Sequence, residues 1–241
     1  MSSYIILGMP RTGTSILNAL LKEQIDGWDL DERWKIKDSD EELPDIFNNL
    51  PHLNHQQQVR LKHLKENVNK RWIIKIWPQH FLLQKNIIDE LLVDDVKLLM
   101  TNRKNVEDHF ISWMNAYYRS RAFNQKMFQY TNKQSESPKY DSVGLSKEDI
   151  IVYFNTFKDS LIHWRLAYEI YKDKAVVISY EDEINLLNLK RVGITEETIK
   201  TYFNKETYYV PTPFNSKNVA EEDLYSQCTE LLKNYRYLVE V

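Results

Sequence analysis

The stretch GMPRTGTS, Gly8 to Ser15, directly follows the apolar run YIIL. It keeps the frame of the phosphate-binding loop G-x-x-x-x-G-K-[ST], with Gly8, Gly13 and Ser15 in register. Thr14 stands where that loop carries lysine, and Arg11, three places upstream, is the only cation of the stretch. Between a strand and a helix, the backbone N–H groups of Thr12 to Ser15 can turn toward an anion, and the positive end of the helix dipole favours it there. Gly13 lets the backbone approach closely, Thr14 and Ser15 add hydroxyl donors, and the planar fork of Arg11 can lie alongside an oxyanion. A kinase loop needs its lysine on the β- and γ-phosphates and Mg²⁺ on its Ser or Thr. The displaced cation therefore points to a different phosphate ester, bound without a metal.

A second constellation lies in LLMTNRKNVEDHFISW, where Arg103 and Ser112 are nine residues apart. Arg103 is expected at the carboxyl end of a strand and Ser112 in the helix that follows, both able to reach one phosphate. Taken alone, the pair reads rather as a surface arginine and a helix serine. Lys75 sits inside the apolar run WIIKI, and a lysine there is costly unless it faces an anion or a partner. WDLDERWK carries Asp29, Asp31, Glu32 and Arg33, and KIWPQH carries His80, ionisable groups to which spacing alone gives no role. A base must titrate near the working pH and reach the acceptor. A solvated acidic run and a histidine that caps or packs the next helix are the structural alternatives. No His/Cys/Asp cluster has metal-ligand spacing.

The elements that must position these residues follow from period and length. YIIL (4–7), WIIKI (72–76), VKLLMT (96–101) and AVVIS (175–179) read as buried strands by their length and β-branched content. Helical patterns separate them: one from the loop through SILNALLKEQ, one near 80–92, one near 105–120 and one over 147–172. Strand and helix in alternation predict a parallel sheet with helices on both faces. In the last helix Ser146 and Asp149 can form a capping box, and Ile150, Phe154, Phe157, Leu161, Trp164, Tyr168 and Tyr171 form one apolar stripe. Residues 29–70 are polar with a helical piece near 54–68, and residues 121–145 read as a long loop. Both are expected as lid-like insertions over the carboxyl edge of the sheet in a single domain spanning 1–241.

The bulk properties narrow the classes. The chain has 241 residues, 42% hydrophobic and 28% charged, with net charge −3, so no general attraction to nucleic acid or an anionic membrane is expected. The single cysteine, Cys228, excludes an internal disulfide, fits a reducing compartment and reads as core packing. The first strand begins almost at once, so no signal peptide is expected before Tyr4, and no run approaches the ~20 apolar residues of a membrane span. A cytoplasmic protein is the expectation.

PRTGTS resembles the 5′-phosphosulfate loop of sulfotransferases that use 3′-phosphoadenosine 5′-phosphosulfate (PAPS), where K/R-x-G-T-[ST] follows the first strand. The P-R-x-G-T form is similar to that of tyrosylprotein and several bacterial sulfotransferases. The family's second signature is an arginine followed by a serine eight or nine residues on, holding the 3′-phosphate; Arg103 and Ser112 match it, in an R-K-N form closer to the bacterial R-R-N type. VVISYED resembles the family strand that ends in Y-E-D, which puts Tyr180 near the adenine. VPTPFNSKN falls where the family's C-terminal cofactor loop lies, so Thr212 and Phe214 would touch the adenine and Lys217 a phosphate, although the family's R-K-G is absent. The family often has K-[TS]-x-x-P at Lys75, which would bring that lysine to the sulfate. Its cytosolic branch carries a basic histidine two residues later, where this chain has Trp77, and other branches use a glutamate after the first helix.

The resemblance covers most of the chain in outline and about 20 residues in motif. It implies a P-loop-NTPase-like three-layer α/β fold. It also implies in-line, metal-independent sulfuryl transfer from PAPS to a hydroxyl or amine of a small-molecule or glycan acceptor, releasing 3′-phosphoadenosine 5′-phosphate (PAP). The catalytic set would be Arg11, Lys75 and either Glu32 or His80. The cofactor set would be Arg11, Thr12, Gly13, Thr14, Ser15, Arg103, Ser112, Tyr180, Thr212, Phe214 and Lys217. A homodimer is compatible with all of this. Two rivals stay open: a small-molecule kinase with a degenerate P-loop, and a non-catalytic protein that binds PAP or another nucleotide.

Overall fold

A strand covered on both faces reads as a near-continuous apolar run, as YIIL does in the first strand. In the computed structural model, β1 (Ser3–Gly8) sends Tyr4 and Ile6 to one face of a sheet and Ile5 and Leu7 to the other, all buried. The structure describes residues 3–25, 28–30, 72–78, 81–93, 95–123, 130–131, 147–204, 207–208 and 222–241. Four further strands join β1: β2 (Trp28–Leu30), β3 (Trp72–Ile76), β4 (Val96–Asn102) and β6 (Ala175–Ser179). Their order is β2-β3-β1-β4-β6 and every pairing is parallel. The four strands read from apolar runs are present; β2 is an addition, since three residues carry no readable period.

Helices cover both faces, giving the three layers that the alternation of elements predicts. On one face, α1 (Thr14–Ile25) and α5 (Glu196–Phe203) pack with a turn at Tyr180–Ile184 over Ile6, Ile73, Leu99 and Ile178. On the other, α2 (Phe81–Leu91), α3 (Val106–Phe123), α4 (Lys147–Tyr171), α6 (Glu222–Leu232) and a 3₁₀ turn at Lys233–Leu238 enclose Ile5, Ile74 and Met100. The expected α4 stripe is its core face, with Ile150, Phe157, Leu161, Trp164 and Tyr171 buried and Phe154 and Tyr168 packed against them. Cys228 is buried in that same layer, as its packing role requires.

The reading of 121–145 as one long loop is corrected at two places. Residues 121–123 end α3, and β5 (Tyr130–Thr131) pairs antiparallel with β7 (Thr207–Tyr208). Arg and Ala prolong a helix readily, and a two-residue strand is specified only by its distant partner. Likewise residues 29 and 30 belong to β2 rather than to an insertion. Ser146 and the helical piece near 54–68 lie outside the described residues, as does most of both insertions.

The topology creates one special edge. β1 and β4 are neighbours, yet the helices that follow them leave to opposite faces, α1 to one and α3 to the other. Where adjacent parallel strands part in this way, a crevice opens at their carboxyl ends, and α/β proteins bind ligands there.

Candidate functional site

The two motifs flank that crevice. Met9 to Gly13 form the turn from β1 into α1, and Arg103 is the first residue beyond β4. Arg11 adopts φ 70° and Gly13 φ 81°. A left-handed conformation at a residue with a side chain costs about 1 kcal/mol, so the surroundings must impose it on Arg11. They do so from α3. Arg11 Nε donates to Ser112 Oγ at 2.9 Å, and the buried His109, one turn before Ser112, is 2.8 Å from the Pro10 carbonyl through Nε2.

Thr12 is the internal brace of the loop. Its N–H and its hydroxyl both donate to Met9 O, at 3.3 and 2.7 Å. Its Oγ1 also lies 2.6 Å from Thr101 Oγ1 at the end of β4. A hydroxyl has one proton, so Thr101 is the donor of that pair. Thr12 therefore ties the loop to itself and to β4, and the backbone N–H groups left to face an anion begin at Gly13. Gly13 O accepts from Leu17 N at 3.0 Å, which makes Gly13 the start of the α1 ladder. The first N–H groups beyond it, at Thr14 and Ser15, have no carbonyl four residues back inside the helix.

Gly13 is a glycine for a further reason. A Cβ there would stand 2.6 Å from Ile184 Cγ2 and 3.2 Å from Tyr180 Cδ2, so the turn after β6 leans directly on the loop. Gly8 is equally constrained, since a Cβ would fall 1.9 Å from Thr101 Oγ1.

Lys75 is 7% exposed, inside β3. Side-chain alternation puts it on the same face as Ile73, the face that α1 covers. Its Nζ donates to Ser15 Oγ at 3.3 Å, so the lysine approaches the loop from the adjacent strand. An ammonium thus stands at the hydroxyl that would hold Mg²⁺ in a kinase loop.

Arg103 is 7% exposed. Its guanidinium lies over the ring of Tyr180, 4.6 Å from the centroid, and its Nε has no hydrogen-bond partner among the described residues. Glu181 Oε1 lies 3.6 Å from that Nε, close enough for ion pairing and too far for a hydrogen bond. The carboxylate of Glu181 instead accepts the backbone N–H groups of Lys104 and Asn105, at 3.0 and 3.3 Å, just ahead of α3. Behind the crevice, Asn102 Nδ2 donates to Val239 O at 2.9 Å and Arg236 pairs with Glu107, so the C-terminal turn steadies the base of α3.

His109 records the resulting field. Burial lowers its pKa first, the positive charge of Arg103 lowers it further, the hydrogen bond to Pro10 O opposes, and Arg11 adds to the fall, leaving it at about 3. The imidazole is neutral at ordinary pH. Because a carbonyl only accepts, Nε2 carries the proton and Nδ1 is bare, without a partner among the described residues. A histidine this buried and this weakly basic is no general base.

Arg11, Thr12, Gly13, Thr14, Ser15, Lys75, Arg103, Ser112 and Tyr180 therefore meet at one edge of the sheet, joined by the contacts above. Ser112 differs from its expected geometry in one respect, since its hydroxyl is engaged by Arg11. Glu32, His80, Thr212, Phe214 and Lys217 lie outside the described residues. Sequence reading missed His109, Thr101 and Glu181. The signal for Glu181 was present in Y-E-D, and His109 stands three residues before Ser112, one helical turn away. Among the described residues no group of three His, Cys, Asp or Glu side chains gathers as a metal site, and no helix is long and apolar enough to cross a membrane.

Fold and site together define a parallel α/β protein, covered on both faces, with a cationic crevice where β1 and β4 part. It is similar to the crystal structure of mouse sulfotransferase SULT7A1 complexed with PAP, at 15% sequence identity and a TM-score of 0.49, over 97% of this chain and 82% of that chain. No protein-family model matches the chain, and no curated protein matches it.

Proposed function

We propose that this protein transfers a sulfuryl group from PAPS to a hydroxyl or amine acceptor and releases PAP. The observation that carries the reading is the meeting of Arg11, Lys75 and Arg103 with the Gly13–Ser15 turn and Ser112 at one crevice, in the motifs that resemble the sulfotransferase signatures. Donors carried by two elements, the loop after β1 and the end of β4 with its helix, suit a ligand with phosphates at both its 5′ and its 3′ position. Arg11, Lys75 and the N–H groups of Gly13 to Ser15 would hold the 5′-phosphosulfate. Arg103 and Ser112 would hold the 3′-phosphate, with Tyr180 beside the adenine.

In the reaction the acceptor oxygen or nitrogen attacks sulfur and forms a new bond to it. The bond from sulfur to the bridging phosphate oxygen breaks, and its electron pair stays on PAP. The acceptor proton passes to a base, for which Glu32 and His80 are the candidates. Charge builds on the bridging oxygen, so a cation held against it lowers the barrier. Arg11 has that place by sequence, and its Nε–Ser112 bond orients the fork. Lys75 would add a second cation near the sulfate. The acceptor would be a small molecule or a glycan.

The kinase alternative is weakened by one contact, Lys75 Nζ on Ser15 Oγ, which puts a cation on the hydroxyl where such a loop would hold Mg²⁺. Calorimetric titration separates the readings. Micromolar binding of PAP without metal, with weak binding of Mg-ATP, supports the sulfotransferase, and an acceptor screen with labelled PAPS then tests turnover. Preference for Mg-ATP overturns it. Tight PAP binding with no turnover on any acceptor would leave a nucleotide-binding protein.

A further inference from the structure

We infer that His109 is a positioning residue that sets the backbone of the Pro10–Arg11 peptide, so that the loop is preorganised for the 5′-phosphate end of its ligand; this rests on the proposed use of PAPS. A peptide unit is planar, and the ring of Pro10 holds its own φ. The orientation of the Pro10–Arg11 plane is then governed by two soft angles, Pro10 ψ and Arg11 φ. A donor gripping the Pro10 carbonyl fixes both together. His109 Nε2 is 2.8 Å from that oxygen, and Arg11 has the left-handed φ of 70°.

The donor is itself immobile. His109 is 1% exposed, its ring meets the Phe157 ring edge-on at 4.8 Å and lies 6.3 Å from Trp113. Its own backbone N–H is in the α3 ladder, donating to Asn105 O at 3.0 Å. The position calls for a donor that carries no charge. Arg11 follows Pro10 immediately, Arg103 raises the local potential, and an ammonium or guanidinium in the same place would repel both. A neutral imidazole donates one N–H and adds nothing to the positive field. Since β4, Arg103 and α3 are continuous, the element that presents Arg103 also sets the backbone at Arg11.

The test compares two ligands on wild type, His109→Phe and His109→Gln. Phenylalanine keeps a ring in the aromatic cluster and removes the donor, while glutamine restores an N–H. The ligands are PAP and adenosine 3′-phosphate, which lacks the 5′-phosphate. His109→Phe is expected to weaken PAP about tenfold, the worth of one hydrogen bond, and to leave adenosine 3′-phosphate within about twofold. His109→Gln should recover most of the loss. Equal affinities of wild type and His109→Phe for PAP would overturn the inference, and so would equal losses for both ligands, which a merely structural role would give. If wild type binds neither ligand, the PAPS reading falls by itself. The backbone role is then judged by the ¹⁵N resonances of the imidazole at neutral pH. Protonated Nε2 with bare Nδ1 supports it, and the opposite tautomer or an imidazolium overturns it.

Discussion

Arg11 Nε and Ser112 Oγ are joined by a 2.9 Å hydrogen bond across the crevice, between residues 101 positions apart in sequence. One belongs to the loop after β1 and the other to the helix after β4, so this contact unites the two halves of the site. Replacing Ser112 by alanine removes the acceptor of the Arg11 Nε–H. PAP affinity should fall by about tenfold, the low end of the scale of one charge-assisted hydrogen bond, since Ser112 acts partly through Arg11. Titration calorimetry reads it directly, and an unchanged Kd would show that the bond has no part in ligand binding.

Arg103→Ala should be more severe. The guanidinium is buried over Tyr180 with an Nε that has no hydrogen-bond partner among the described residues, which suits it to an anion. Loss of charged hydrogen bonds is worth about 1.5–3 kcal/mol, or about ten- to hundredfold in PAP affinity. Adenosine 5′-phosphate, without a 3′-phosphate, should lose much less. Equal losses for both ligands would remove Arg103 from the 3′-phosphate.

Gly13→Ala tests the loop's shape. It combines φ 81° with a Cβ 2.6 Å from Ile184 Cγ2. We expect destabilisation of about 2 kcal/mol or more, from left-handed strain and overpacking together. In a chain of this size that lowers Tm by about 4–8 °C, measurable by calorimetry. A variant as stable as wild type would mean that the turn at Tyr180–Ile184 yields easily.

Acid should weaken the fold through His109. Its pKa is about 3 when folded against an ordinary 6.5, so the unfolded chain binds the extra proton between those values. Stability is therefore complete above pH 6.5 and is lost as pH falls toward 3, by up to about 1.4 kcal/mol per unit from this one group. His109→Phe should flatten that part of the denaturant-derived stability curve. Identical slopes in wild type and variant would show that the ring is not kept neutral by its burial.

Glu32→Gln and His80→Ala divide the base candidates. If Glu32 takes the acceptor proton, its variant should lose about 10²- to 10⁴-fold in kcat with PAP affinity unchanged, while His80→Ala keeps most of its turnover. The reverse pattern in labelled-PAPS assays would assign the role to His80.

Local signals were readable wherever a segment carried its own reason. YIIL, WIIKI, VKLLMT and AVVIS became β1, β3, β4 and β6 because a doubly covered strand is a short, mostly apolar run rich in β-branched residues. The α4 stripe became a core face because its spacing matches the helical turn. β2, β5 and β7 were not legible, since two or three residues show no period and exist as strands only through their partners. His109 was passed over because nothing nearby in sequence distinguishes a helix histidine that faces a loop carbonyl from one that faces solvent.

The order of residue types along this chain determined which side chains were available: one arginine in a phosphate-type loop, one after a strand, one lysine inside another. Those are local facts, written into composition and spacing. Only the tertiary structure decided that they share a crevice, because that depends on β1 lying between β3 and β4 while α1 and α3 leave to opposite faces. It also decided that Ser112 engages Arg11, that Thr12 ties the loop to Thr101, and that His109 holds the Pro10 carbonyl. Each of those bonds joins residues about a hundred positions apart, and such pairings are specified by the packing of whole layers rather than by any short stretch of sequence.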